Sequence, residues 1–137
     1  MTKGLTLGFR AEEFYRRVSE GKFTGSDGNS LDAESGIQKI LEELHLTKKS
    51  GKRVFIIGNG GSAAVASHTV TDFLNKGKLS ASTIHEPALL TCMTNDYGYE
   101  EAFTRILSTV AGKGDVLFAI SSSGQSVNIH NAVKRMQ

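Results

Sequence analysis

The chain has 137 residues, 39% of them hydrophobic and 22% charged, with 16 Lys and Arg against 14 Asp and Glu. That length and balance suit one compact soluble domain and argue against extended disorder, and a net charge of +2 from scattered Lys and Arg argues against a dedicated nucleic-acid surface. A single Cys, Cys92, excludes an internal disulfide and a four-thiolate zinc site; no apolar run reaches the roughly 20 residues of a membrane span, and MTKGLTLGFR lacks the apolar stretch of a secretory leader, so a cytoplasmic protein without membrane partners is expected.

Ala11, Phe14, Tyr15 and Val18 recur at helical spacing, and Gly21 follows as a stop. Residues 21–30, GKFTGSDGNS, read as a loop. A second helix is expected from an N-cap at Ser30, with Ile37, Ile40, Leu41 and Leu44 on one face and Lys48 and Lys49 well placed at its negative end before Gly51. The period then changes. Arg53-Val-Phe-Ile-Ile57 is a continuous apolar run of the kind found in strands buried on both faces. It stops at Gly58-Asn-Gly-Gly-Ser62, after which Ala66, Val70, Phe73 and Leu74 restore helical spacing.

Ser82-Thr-Ile84 is a candidate second strand, and Pro87 suits the first residue of a short helical turn. Tyr99, Phe103, Ile106, Leu107 and Val110 predict another helix, ending at Gly112 or Gly114. Asp115 to Ile120 is a third strand. It runs into Ser121-Ser-Ser-Gly-Gln-Ser126, and Ile129, Ala132, Val133 and Met136 mark the helix beyond. The alternation of helices and strands predicts an α/β fold with a parallel sheet.

Ligands of open parallel sheets bind beyond the carboxyl ends of the strands, where helices begin. Two such strand ends carry unusual loops here. Gly58-Asn-Gly-Gly-Ser62 lets backbone approach a ligand, because Gly lacks Cβ and accepts positive φ. The Ser loop adds four hydroxyls and backbone N–H groups at a helix start, an anion site that needs no Lys or Arg. Each loop alone is as well explained by a tight turn or a helix cap. Together, after core strands, they point to a small phosphorylated molecule. Gly58-x-Gly60-x-x-Ala63 also fits a dinucleotide fingerprint, but the acid that should follow about 20 residues later is poorly placed, and that reading leaves the Ser loop unused.

His68 and Asp72 share a helix face at i, i+4. From spacing alone they read first as a surface pair, and alternatively as a metal ligand and a general base. Asn95-Asp96 reads either as the N-cap of the next helix or as a polar contact to substrate hydroxyls.

Gly58-Asn-Gly-Gly-Ser-Ala63, Asn95-Asp-Tyr-Gly-Tyr-Glu100 and Gly114-Asp-Val-Leu-Phe-Ala-Ile-Ser-Ser-Ser-Gly-Gln-Ser126 resemble, in order and near spacing, the SIS (sugar isomerase) domain family and its phosphoheptose isomerase branch. The resemblance implies a three-layer α/β/α fold with a flavodoxin-like parallel sheet, an N-terminal helix and loop over 1–30 and the SIS domain over 31–137. It implies a homo-oligomeric, commonly tetrameric, enzyme that converts sedoheptulose 7-phosphate to D-glycero-D-manno-heptose 7-phosphate for surface polysaccharide. It assigns substrate contact to Asn59, Gly60, Gly61, Asp72, Asn95 and Asp96, and the phosphate to Ser121, Ser122, Ser123 and Ser126. His68 takes the place of a zinc ligand, and Asp72 that of a Glu serving as zinc ligand and base. Asp is one methylene shorter, withdrawing the carboxylate by about 1 Å, a displacement that matters to rate. Family members also continue past the position of Gln137, with residues that complete the zinc site, so the sequence reads as the N-terminal two-thirds of the domain. The alternative implied by that difference is a noncatalytic SIS module that binds a sugar phosphate or a protein partner, with this chain itself inactive.

Overall fold

The computed structural model describes residues 6–137, so residues 1–5 of the expected N-terminal segment lie outside the described residues. The chain divides into two compact units, with the boundary between Glu43 and Leu44.

In the first unit, α1 (Leu7–Ser19) opens with the Thr6 hydroxyl accepting from the Phe9 N–H at 3.3 Å. On its apolar face Phe14, Tyr15 and Val18 are 71%, 72% and 65% exposed. The stretch expected to be a loop contains a small antiparallel hairpin, β1 (Phe23–Thr24) with β2 (Ser30–Leu31). Asp27 makes its turn, accepting from the Asn29 backbone and side-chain N–H groups at 3.0 and 2.8 Å, with Gly28 at φ +81°. Ser30 is therefore a strand residue and not the expected helix cap. That role falls to Asp32, whose carboxylate accepts from the Ser35 N–H at 2.9 Å and the Ser35 hydroxyl at 2.7 Å. The helix it opens, α2 (Ala33–Lys49), ends as expected with Lys48 and Lys49 ahead of Gly51, a residue at φ +66°.

The second unit is built on a parallel three-stranded sheet in the order β4-β3-β5. Central β3 (Val54–Gly58) is buried along its whole length, as its unbroken apolar run requires. On one side it pairs with β5 (Val116–Ile120) from Val54 opposite Val116 to Gly58 opposite Ile120, and on the other with the two-residue β4 (Ala81–Ser82). The strand expected over Ser82–Ile84 is thus shorter and starts earlier, and Ile84 is buried beyond it.

Alternate residues feed two cores. Val54, Ile56, Val116, Phe118 and Ile120 pack with Ala66, Val70 and Phe73 of the following helical segment and with Leu44 of α2. Phe55, Ile57, Leu117 and Ala119 pack against the opposite layer of α4 (Pro87–Tyr97), α5 (Ala102–Val110) and α6 (Val127–Met136). The result is a helix-sheet-helix sandwich. Its strand order, taken in sequence, is 2-1-3, the beginning of the flavodoxin-like pattern, whose reversal point lies between the first and third strands.

Three local expectations change. The helix after the Gly loop, α3 (Gly61–Asp72), passes into a π-helical turn over Phe73–Gly77. That wider turn rotates its residues away from their α-helical positions, so Leu74 is half exposed and not part of the apolar stripe. Pro87 starts an 11-residue helix and not a short turn, with Glu86 as its cap: the carboxylate accepts from the Leu89 N–H at 2.7 Å. The helix is long enough to include Asn95 and Asp96 in its last turn, so neither caps the next helix, which begins only at Ala102.

Candidate functional site

Because the sheet is parallel, β3 and β5 deliver the Gly loop and the Ser loop to the same edge, side by side across the reversal point. Each loop opens a helix, of 12 residues in α3 and 10 in α6. Two helix N-termini therefore meet at this edge, a placement that favours an anion.

The Gly loop is shaped by two different constraints. A Cβ on Gly58 would lie 2.7 Å from the Ser62 carbonyl carbon and Cβ, so only Gly lets α3 approach the strand this closely. Gly60 sits at φ +54°, ψ −121°, a conformation that a side chain would strain. Gly61 is exposed, with nothing within 4 Å of an added Cβ.

The Ser loop folds on itself. The Ser121 Oγ accepts from the Gly124 N–H at 3.1 Å and lies 3.4 Å from the Ser126 Oγ; the Ser123 Oγ accepts from the Gln125 N–H at 3.1 Å. Gly124, at φ +65°, presents its carbonyl 2.7 Å from the His130 Nε2. Ser122 and Ser123 are exposed, and Ser126 immediately precedes α6.

A cleft of about 280 Å³ lies between the loops, lined by Asn59, Tyr99, Glu100, Ser126, Val127 and Asn128. A hollow of about 390 Å³ lies at the opposite, amino end of β5, lined by residues that include Gly112, Asp115 and Arg135, away from both loops. The smaller cleft is the one bordered by both loops, through Asn59 and Ser126.

Sequence reasoning found Asn59 and Ser126 in this cleft and missed Tyr99, Glu100 and Asn128. Asn128 is 4% exposed, and its carboxamide pairs with that of Asn59 through two reciprocal bonds, both of 3.0 Å. The Tyr99 hydroxyl donates to the Asn59 Oδ1 at 2.7 Å. Asn131 supports the same wall by donating to the Glu100 carbonyl at 3.1 Å and the Glu101 carboxylate at 2.9 Å. The available signal for Asn128 was a polar residue directly beside Ile129, the first residue of the apolar stripe of α6, at the helix start that follows the Ser loop.

His85 underlies the Gly loop. Its Nε2 accepts from the Gly58 N–H at 3.3 Å and its ring leans on Phe103, centroids 5.6 Å apart. Nε2 is then the lone-pair nitrogen and Nδ1 holds the proton; buried Nδ1 has no partner among the described residues. Burial pushes the His85 pKa below its usual value.

The other expected site residues lie elsewhere on the surface. The His68 Nε2 and Asp72 Oδ2 are 3.6 Å apart, with side chains 80% and 47% exposed, and Asp72 also faces the Lys76 ammonium at 3.6 Å. In the last turn of α4, the Asn95 Nδ2 donates to the Asp96 Oδ1 at 3.0 Å and the Cys92 thiol to the Asp96 Oδ2 at 3.6 Å. Neither pair lines the cleft. Catalytic zinc takes three protein ligands. Among the described residues no cluster of three His, Cys, Asp or Glu is placed to hold a metal. His68 and Asp72 alone do not fit such a site.

The SIS domain family matches residues 30–137. The chain belongs to that family. It is 37% identical over 106 residues to a phosphoheptose isomerase of Cytophaga hutchinsonii, covering 74% of this chain and 56% of the relative. It is 40% identical over 113 residues to one of Sodalis glossinidius, covering 77% and 58%. The chain therefore spans little more than half the length of these curated relatives. Among solved structures it is similar to a phosphoheptose isomerase from Francisella tularensis, at TM-score 0.81 and 25% identity, covering 98% of this chain and 70% of the other. The corresponding enzyme from Neisseria gonorrhoeae gives a TM-score of 0.67 at 28% identity, covering 95% and 68%. No helix among the described residues is long and apolar enough to cross a membrane.

Proposed function

We propose that this SIS chain binds a phosphorylated sugar and carries part of the active site of a cytoplasmic aldose-ketose isomerase that converts sedoheptulose 7-phosphate to D-glycero-D-manno-heptose 7-phosphate, supplying heptose for surface polysaccharide. The observation that carries the reading is the juxtaposition of the Gly and Ser loops at the carboxyl ends of adjacent strands, with a polar cleft between them. The names of the relatives support the substrate class.

In this reading the phosphate takes hydrogen bonds from the hydroxyls of Ser121, Ser122, Ser123 and Ser126 and from N–H groups at the start of α6. Charge-assisted bonds contribute about 1.5–3 kcal/mol each, so a few hold an ester without a basic side chain. Gly60 and Gly61 give the sugar bare backbone to lie against and Asn59 meets its oxygens in the cleft, while Asn95 and Asp96, which lie outside the cleft, are proposed as further contacts of the sugar on the family resemblance alone. Moving the carbonyl between C1 and C2 needs a base to take the proton from the adjoining carbon and a donor to hold the enediolate oxygens before the proton returns to the neighbouring carbon. The family resemblance gives the base role to Asp72, which lies outside the cleft in this chain and faces His68 and Lys76. A zinc ion bound through His68 and Asp72 would need further donors, and no step here is routed through it. The exposed apolar residues of α1 support a homo-oligomer.

The test is thermal unfolding with and without sedoheptulose 7-phosphate, paired with NMR detection of the aldose product in the presence of zinc. A ligand at 100 times its Kd adds about 2.7 kcal/mol of stability. Stabilisation with conversion supports the proposal. Stabilisation without conversion supports the noncatalytic sugar-phosphate module instead, and neither effect overturns both.

A further inference from the structure

The orientation of the Asn59 carboxamide traces back to one group that cannot reverse its role. The Ile129 backbone N–H can only donate, and it lies 3.0 Å from the Asn128 Oδ1. That contact fixes which end of the buried Asn128 amide is oxygen. The same Oδ1 accepts from the Asn59 Nδ2, and the Asn128 Nδ2 donates back to the Asn59 Oδ1. Turning Asn59 over would set nitrogen against nitrogen and oxygen against oxygen. The Tyr99 hydroxyl, able to donate or accept, follows this choice and donates to the Asn59 Oδ1 at 2.7 Å.

The Asn59 Oδ1 thus accepts two hydrogen bonds, the capacity of a carbonyl oxygen, and one Nδ2 hydrogen is used on Asn128. One Nδ2 hydrogen remains, on a residue that lines the cleft. We infer that Asn128 and Tyr99 are positioning residues that make Asn59 a one-hydrogen donor toward the cleft, favouring a ligand oxygen that only accepts, such as a carbonyl or enediolate oxygen, and offering no acceptor to the proton of a ligand hydroxyl. This rests on the sugar-phosphate reading for the ligand. The lock itself exists without one.

The bond pair also ties the loop after β3 to the first turn of α6, so the two halves of the cleft share one fixed element. Asn128 is buried and its loss could damage folding, whereas Tyr99 is 44% exposed and Tyr99→Phe removes only the hydroxyl. The experiment therefore has two arms. In the ligand-free protein, NMR of the side-chain amides should show one Asn59 Nδ2 proton protected from water exchange and the other fast. Two equally fast protons would overturn the lock whatever the ligand is.

In the second arm, sedoheptulose 7-phosphate and inorganic phosphate are titrated separately into the wild type and Tyr99→Phe. The variant should keep its unfolding midpoint and lose roughly 3- to 10-fold in affinity for the sugar phosphate, as one neutral hydrogen bond allows, with a smaller loss for inorganic phosphate. Equal losses for both ligands, or none, would overturn the positioning role. Absence of sugar-phosphate binding by the wild type, beside a protected Asn59 proton, would overturn the functional reading and leave the lock supported.

Discussion

Replacing Gly61 with Ala separates what the Gly loop does for the fold from what it does for a ligand. Gly61 is the first residue of α3, its φ is not left-handed, and an added Cβ meets nothing within 4 Å. Ala loses less chain entropy than Gly on entering a helix, so Gly61→Ala should raise stability by about 0.4–1 kcal/mol. The same methyl stands on the exposed face where the sugar is proposed to lie. Crowding a close contact by one methyl costs about 1–3 kcal/mol, which corresponds to roughly 5- to 150-fold in affinity. The two effects have opposite signs. Urea unfolding gives the first and calorimetric titration with sedoheptulose 7-phosphate the second. A variant that binds as tightly as the wild type refutes the use of this backbone as a ligand platform; a variant that unfolds more easily refutes the open geometry at the start of α3.

Gly58→Ala should behave oppositely in the stability assay, because its methyl meets Ser62 at 2.7 Å and α3 must move away from β3; a loss of about 1–3 kcal/mol is expected, and an unchanged urea midpoint would contradict it. Asp115 accepts from the N–H groups of Arg53 and Gly112, both at 2.9 Å, and pairs with the Arg53 guanidinium at 3.2 Å. Burial alone would raise its pKa, but the Gly112 and Arg53 N–H groups and the Arg53 charge outweigh it and hold the carboxyl below its usual value. Asp115→Ala should cost about 2–4 kcal/mol by urea unfolding without changing phosphate affinity, since it acts at the other end of β5. The wild type keeps this contribution above pH 3.8, the ordinary carboxylate value, and loses it as the pH falls from there through the folded pKa.

His85 gives a second pH dependence with its own sign. Below about pH 6.5 the unfolded chain takes up a proton that the buried ring resists, so stability falls with falling pH, by at most about 1.4 kcal/mol for each unit from this one group. His85→Gln keeps an acceptor for the Gly58 N–H without titrating. Its urea midpoint should vary less between pH 5 and 6.5; an undiminished slope would place the titration elsewhere.

The apolar run Val54–Ile57 read as a strand buried on both faces, and the patterns of Phe103, Ile106 and Leu107, and of Ile129 and Ala132, as helices with one apolar face; all these residues are buried in the fold. The glycines and serines that break these patterns marked the two loops that end β3 and β5, because neighbouring parallel strands deliver such loops to one edge. Local chemistry fixed these features, and local chemistry is written in neighbouring residues. What needed the tertiary structure depended on partners far apart in the chain. Asn128 meets Asn59 across 69 positions, and Tyr99 meets it across 40. No spacing rule connects such residues. Asp32 displaced Ser30 as a cap because hairpin pairing claimed Ser30, and Asn95 and Asp96 entered a helix because α4 propagated past the single turn that Pro87 announced. The sequence by itself determined the layers, the strand cores and the two loops at the carboxyl ends of the strands. Only the fold decided which polar side chains meet between those loops, because the sheet's pairing, not the order of residues, sets their distances.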